Sequence, residues 1–146
     1  MTPLPLANWD LTQYTITFGG RELQGFADGD LLSITPPTGT FKSTVGGDGT
    51  TVVSRDPSRV HVIKLTLQRT SGCNVTLGTQ FAAQLANSAG GGQPFALPFT
   101  CRNIVTGETW RAASAWITES PAAKIAKELP TREWTIEALM DVSPDR

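Results

Sequence analysis

The sequence predicts a mainly β (α+β) fold, a sandwich or barrel of seven to eight strands with one flanking helix and a long protruding β-hairpin arm. Three observations carry this. Apolar residues alternate with polar ones in segment after segment, the signature of strands with one buried face. Only one stretch, about 75–87, repeats its apolar residues at helical spacing, at Leu77, Phe81 and Leu85. A polar, glycine-bearing segment, about 33–58, interrupts the strands and is too long for an ordinary turn.

Taken in order, residues 1–11 are proline-rich and read as extended. Tyr14, Ile16 and Phe18 alternate with Thr15 and Thr17 in a first strand, Gly19-Gly20 supplies a tight turn, and Glu22 to Ala27 returns as its partner. Asp28-Gly-Asp is another turn. Leu31 to Thr35 is a third strand, ended by Pro36-Pro37, which lack the amide that a central ladder needs. In the arm, Thr40 to Val45 and Thr50 to Ser54 pair across Gly46-Gly-Asp-Gly. Neither half shows a strong apolar face, so the hairpin needs a surface to lie on.

From Val60 to Arg69 the alternation is strict. His61, Ile63, Leu65 and Leu67 take one face, and Val62, Lys64, Thr66 and Gln68 the other. The helix follows, with Ala82 and Ala86 beside its apolar stripe, Ser71 or Asn74 as its cap and Gly90 to Gly92 at its end. Phe95, Leu97, Phe99 and Cys101 form the next strand. A turn at Thr106-Gly-Glu leads into Trp110, Ala112, Ser114 and Trp116 on one face. Pro121 to Pro130 is a connector with a helical turn. Trp134, Ile136, Ala138 and Met140 make the last strand. The whole of 1–146 reads as one domain, and no repeat is visible.

Composition narrows function. Charged residues are 17% of the chain and the formal net charge is −1, which excludes the basic footprint of a nucleic-acid reader. So little charge on a small domain implies that part of its neutral surface is covered by neighbours. Cys73 and Cys101 make no framework and no Cys-x-x-Cys motif, and they read as reduced thiols. The N-terminus lacks the pattern of a signal peptide, no segment is long enough to span a bilayer, and the Asn74-Val-Thr sequon is then without meaning.

Chemistry is sparse. His61 is the only histidine and lies on an apolar strand face, so no catalytic triad or histidine metal site is expected. Gly90-Gly-Gly-Gln-Pro has no lysine and follows a helix, unlike a phosphate loop. Asp28, Asp30, Asp48 and Asp56 all sit in turns, where aspartate serves the backbone. No enzyme activity, cofactor or metal is expected.

The ordered set of Leu31-Leu-Ser-Ile, the arm with Gly47-Asp48-Gly49, Ser54, Val62 to Leu67, Thr70-Ser71, Asn74 before a helix, the Thr-Gly-Glu hairpin and the closing Glu133-Trp134-Thr-Ile strand resembles the tail tube proteins of contractile-tailed bacteriophages. These are related to the tube protein of type VI secretion, and the resemblance covers about Tyr14 to Val142. It implies a virion protein, made in the host cytoplasm, that forms hexameric rings stacking into the inner tail tube. Its partners would be other copies, the sheath, and the tape measure, baseplate and tail terminator proteins. DNA would pass through the lumen without sequence-specific binding, and no membrane is involved.

On this reading the inter-ring contact is carried by Phe41, Lys42, Val45, Asp48, Thr50, Val52, Arg55 and Asp56, and Lys64, Thr66 and Gln68 are lumen candidates. Three alternatives stand beside it. One is a tube subunit of a secretion or contractile-toxin machine. Another is a carbohydrate-binding β-sandwich using Trp110 and Trp116. The third is a small hydrolase built on a carboxylate pair.

Overall fold

The computed structural model describes residues 11–26, 32–89, 96–122, 125–128 and 130–144. Side-chain alternation decides its architecture. Nine strands form, namely β1 (Tyr14–Phe18), β2 (Arg21–Glu22), β3 (Leu32–Thr35), β4 (Phe41–Val45), β5 (Thr51–Arg55), β6 (Val60–Gln68), β7 (Leu97–Asn103), β8 (Thr109–Glu119) and β9 (Thr131–Val142). One helix, α1 (Cys73–Ala89), follows β6. Seven strands make one antiparallel sheet in the order β2-β1-β7-β8-β9-β6-β3, and β4 and β5 stand apart as a separate ribbon. The sheet curls into a half-barrel.

The inward residues of β6 and β9 are those the alternation selects. Ile63, Leu65 and Leu67 meet Trp134, Ile136 and Ala138 in a core completed by Phe18, Phe99 and Leu77. His61 is buried among them, and its Nδ1 lies 2.9 Å from the Arg59 carbonyl. Its Nε2 has no partner, so this histidine is only half satisfied.

Several expectations need correction. The return strand after β1 is only Arg21–Glu22. Beyond it the chain leaves β1 and crosses to β6. The Leu23 amide donates to the Ile16 carbonyl, the Gln68 amide donates to the Gly25 carbonyl, and Phe26 bridges Leu67. This strap joins the two sides of the half-barrel. It needs glycine at 25, where φ is +77° and a Cβ would lie 2.6 Å from Ser71 Oγ.

In β8 the expected face of Trp110, Ala112, Ser114 and Trp116 is broken by a bulge at Ala113, whose amide donates to Asp141 Oδ2 at 2.7 Å. Ala112, Ala115 and Ile117 therefore point inward. Trp110 packs against the core and Trp116 turns to the other face, so the two do not form a platform. In α1 the buried side runs Asn74, Leu77, Phe81 and Gln84, while Leu85 is 54% exposed. Ser71 Oγ accepts from the Cys73 amide as the cap, and Asn74 is used elsewhere. The described residues of the Pro121 to Pro130 connector show bends rather than a helical turn. Ala27, Asp28, Asp30, Leu31, Gly90 to Gly92 and Phe95 lie outside the described residues.

Candidate assembly interfaces

The arm is built by its register. Phe41 pairs with Arg55, Ser43 with Val53 and Val45 with Thr51, while Lys42 pairs with Ser54 and Thr44 with Val52. Directly paired residues share a face. One face of the ribbon thus gathers Phe41, Val45 and Val53 with Ser43, Thr51 and Arg55, and the other carries Lys42, Thr44, Val52 and Ser54. Each strand supplies only part of this apolar patch, so neither half alone shows a strong apolar face. Val53 had not been singled out, and only the pairing across the turn reveals it. All ten strand residues are exposed, and no other element among the described residues covers them.

The turn is held locally. The Gly46 amide donates to the Thr50 carbonyl at 2.8 Å, and Asp48 Oδ1 accepts from the Thr50 amide at 3.0 Å. That hydrogen bond holds the Asp48 carboxyl below its ordinary value of 3.8. At the base, the Asp56 amide donates to the Thr40 carbonyl, and Asp56 Oδ1 accepts from the Ser58 amide. Asp48, Thr50 and Asp56 therefore shape the arm, whereas Phe41, Val45 and Val52 present surface.

Lys64, Thr66 and Gln68 share the outer face of the sheet, as alternation requires. Opposite them on β9 stand Thr135 beside Lys64 and Glu133 beside Thr66, and Glu137 lies across from Val62. Thr15, Thr17 and Thr100 continue this face across β1 and β7, where Arg102 stands across from Thr15 and Arg111 of β8 across from Thr100. The outer edge of β3 faces no strand among the described residues, which leaves its backbone open to pairing.

A second projecting feature escaped the sequence reading. Between β7 and β8, buried Asn103 accepts from the Val105 and Thr106 amides through Oδ1, and its carbonyl accepts from the Gly107 amide. This fixes a tight tip whose Ile104 and Val105 point into solvent. Exposed β-branched residues between Asn103 and Gly107 were the available signal.

The other chemistry-bearing groups are structural. Cys73 and Cys101 are unbridged. Burial, with Glu108 as a lesser cause, pushes the Cys101 thiol up to about 12 and so keeps it protonated. No group of His, Cys, Asp or Glu able to hold a metal occurs among the described residues, and no helix among them is long and apolar enough to cross a membrane.

Comparison with solved structures places this architecture. The cap that terminates the tube of the anti-feeding prophage superposes with a TM-score of 0.58 at 14% identity, covering 94% of this chain and 91% of that one. The sheath/tube terminator of PVC, an extracellular contractile injection system, gives 0.54 at 19% identity over 94% of both chains. A chain of the PVC sheath-tube complex gives 0.59 at 17% identity, over 93% of this chain and 87% of that one. The fold is shared with a tube-terminating cap, a sheath/tube terminator and a chain of a sheath-tube complex, all parts of contractile injection machines. No family model matches the sequence, and no curated protein does.

Proposed function

We propose that this chain is a structural subunit of a contractile tail-type tube, in which rings of copies stack along an axis and the arm of each copy grips the next ring. One observation carries the reading. The hairpin of β4 and β5 is ordered, detached from the sheet and exposed on both faces, with a contact surface that its own subunit does not use. The shared fold with tube and terminator proteins, over nearly the whole chain, supports the same conclusion.

In the finer form of this proposal the rings are hexameric and the particle is a phage tail. The sheath surrounds the tube, and DNA passes along a lumen lined by the Lys64, Thr66 and Gln68 face. Glu133, Glu137 and the hydroxyls of this face offset Lys64, Arg102 and Arg111, which it also carries, and that suits such a passage, because uncompensated rows of cations would hold phosphate by releasing its counterions. Replacing Thr66 and Gln68 with arginine is then expected to slow DNA ejection from assembled particles. Ejection at the wild-type rate would remove the lumen assignment.

The arm is tested by replacing 41–55 with a short glycine turn. Wild type is expected to form tubes at high concentration in negative-stain images, and the shortened protein to stay folded and unassembled. Normal tubes from the shortened protein would refute the arm's role. A second reading is favoured by the two terminating proteins among the similar structures. As a terminator, the chain would close single rings in the same images and never elongate.

A further inference from the structure

Strand registers define two ends of the sheet. The arm end holds the start of β6 beside the end of β9, the start of β8 beside the end of β7, and the start of β1 (Val60↔Leu139, Arg111↔Val142, Arg102↔Thr109, Tyr14↔Asn103). Here lie the arm, the Ile104–Val105 tip and Val142. The helix marks the opposite end, where its polar side chains meet the strands. Asn74 bonds the Gln68 and Arg69 carbonyls at the end of β6, Gln80 lies against Gly19 and Leu97, and Gln84 bonds the Ile117 backbone near the end of β8.

The exposed large apolar side chains follow this division. Of the ten among the described residues, four are on the arm, two on the tip and one is Val142. The other three are Val75 and Leu85 on α1, and Ile125 in the connector that leaves and rejoins the sheet at the helix end. None lies on the outer sheet face between the ends. The two ends also differ in relief. One projects, as a ribbon that stands apart from the sheet and a tight turn tipped by Ile104 and Val105. The other offers the shallow outer face of α1, a helix of 17 residues without one Asp, Glu, Lys or Arg, whose outward lane of Val75, Thr79, Ala82 and Ala86 is mostly small.

Like ends meeting would make an isologous contact, which closes at two copies. A projection meeting a flat seat is a heterologous contact, which propagates along an axis. We infer that the uncharged outer face of α1 is the seat on which the arm and the Ile104–Val105 tip of a second copy dock. This rests on the stacking reading above and adds to it the receiving surface.

The test is a pairwise disulfide. Cys73→Ser removes the half-exposed thiol, and Cys101 is buried and protonated, so neither competes. Protein carrying Val45→Cys is mixed with protein carrying Ala82→Cys and oxidised at a concentration where wild type sediments as assemblies. A linked dimer is expected in the mixture at several-fold the yield of a control pairing Val45→Cys with Lys64→Cys on the outer sheet face. Assembly with linkage to Lys64→Cys, and none to Ala82→Cys, would overturn the seat and leave stacking intact. A wild type that never assembles would remove both. In the otherwise native chain, Ala86→Glu is expected to keep the wild-type melting curve and lose sedimentable assembly. If it sedimented like wild type, the seat would be wrong.

Discussion

Asn74 shows how much one side chain can organise. Its Nδ2 donates to the carbonyls of Gln68, Arg69 and Ser71, and its Oδ1 accepts from Trp134 Nε1 at 3.0 Å. It thereby ends β6, starts α1 and anchors the largest buried side chain of β9. The asparagine of the sequon is itself buried, with its amide nitrogen already engaged. Asn74→Ala would leave the indole N–H without its acceptor and the carbonyls without their donor, so a loss of about 3 kcal/mol is expected in urea unfolding. A loss within about 0.5 kcal/mol, the range of ordinary surface changes, would mean that water replaces the amide. Asp48 acts more locally. Its carboxyl is depressed below 3.8 by the Thr50 amide, so the charged form is favoured in the folded turn. The contribution is present above that ordinary value and is lost as pH falls through the lower folded one. Thr50 amide exchange, corrected for its intrinsic pH dependence, should therefore lose protection only under such acidic conditions. Asp48→Ala should lose that protection at neutral pH. Equal protection in the variant would assign the turn to its backbone bonds alone.

Among the elements, the arm separates what each strand offers from what the pair presents. Phe41 and Val45 are two of five residues in β4, and Val53 is the lone member of their patch on β5. Because no other element among the described residues covers this face, Phe41→Asp with Val53→Asp should change unfolding free energy by less than about 0.5 kcal/mol. The same variant should abolish assembly, measured by sedimentation. A large drop in stability would mean that the arm packs on its own subunit. The arm's existence was legible because glycines and threonines of that length fit no buried element. Its sidedness was not, because it depends on which residues pair across the turn. The alternation of β6 and β9 could be read directly, since a strand's two faces follow from its own sequence. β8 could not, because one extra residue at Ala113 inverts the pattern beyond it, and the cause sits 28 residues away at Asp141. Gln84 is similar. Its amide bonds both the N–H and the C=O of Ile117, standing in for a strand where β7 has not yet begun. Nothing local marks such a contact, and a polar residue on the inner side of a helix reads from sequence as solvent-facing.

For the whole molecule, the two-ended distribution of apolar surface makes the nature of the axial contact testable. Charge is present on the walls and on the arm, through Lys42, Asp48, Arg55 and Asp56, but α1 and the tip from Ile104 to Gly107 carry none. A contact made by ion pairs would weaken as salt rises, because at about 1 M the screening length shrinks to roughly 3 Å. A contact made by burying Phe41, Val45 and Ile104 against a neutral helix has no such dependence. Sulfate, which is excluded from protein surface, should strengthen it, and cooling should weaken it as apolar burial loses its entropic drive. The sedimenting fraction of wild type is therefore expected to hold or rise between about 0.1 M and about 1 M salt, and to rise further when sulfate replaces chloride. Dissolution of the assemblies by chloride alone would place the axial contact on the charged residues. The apolar ends would then be idle surface, and the chain's low charge would lose its explanation.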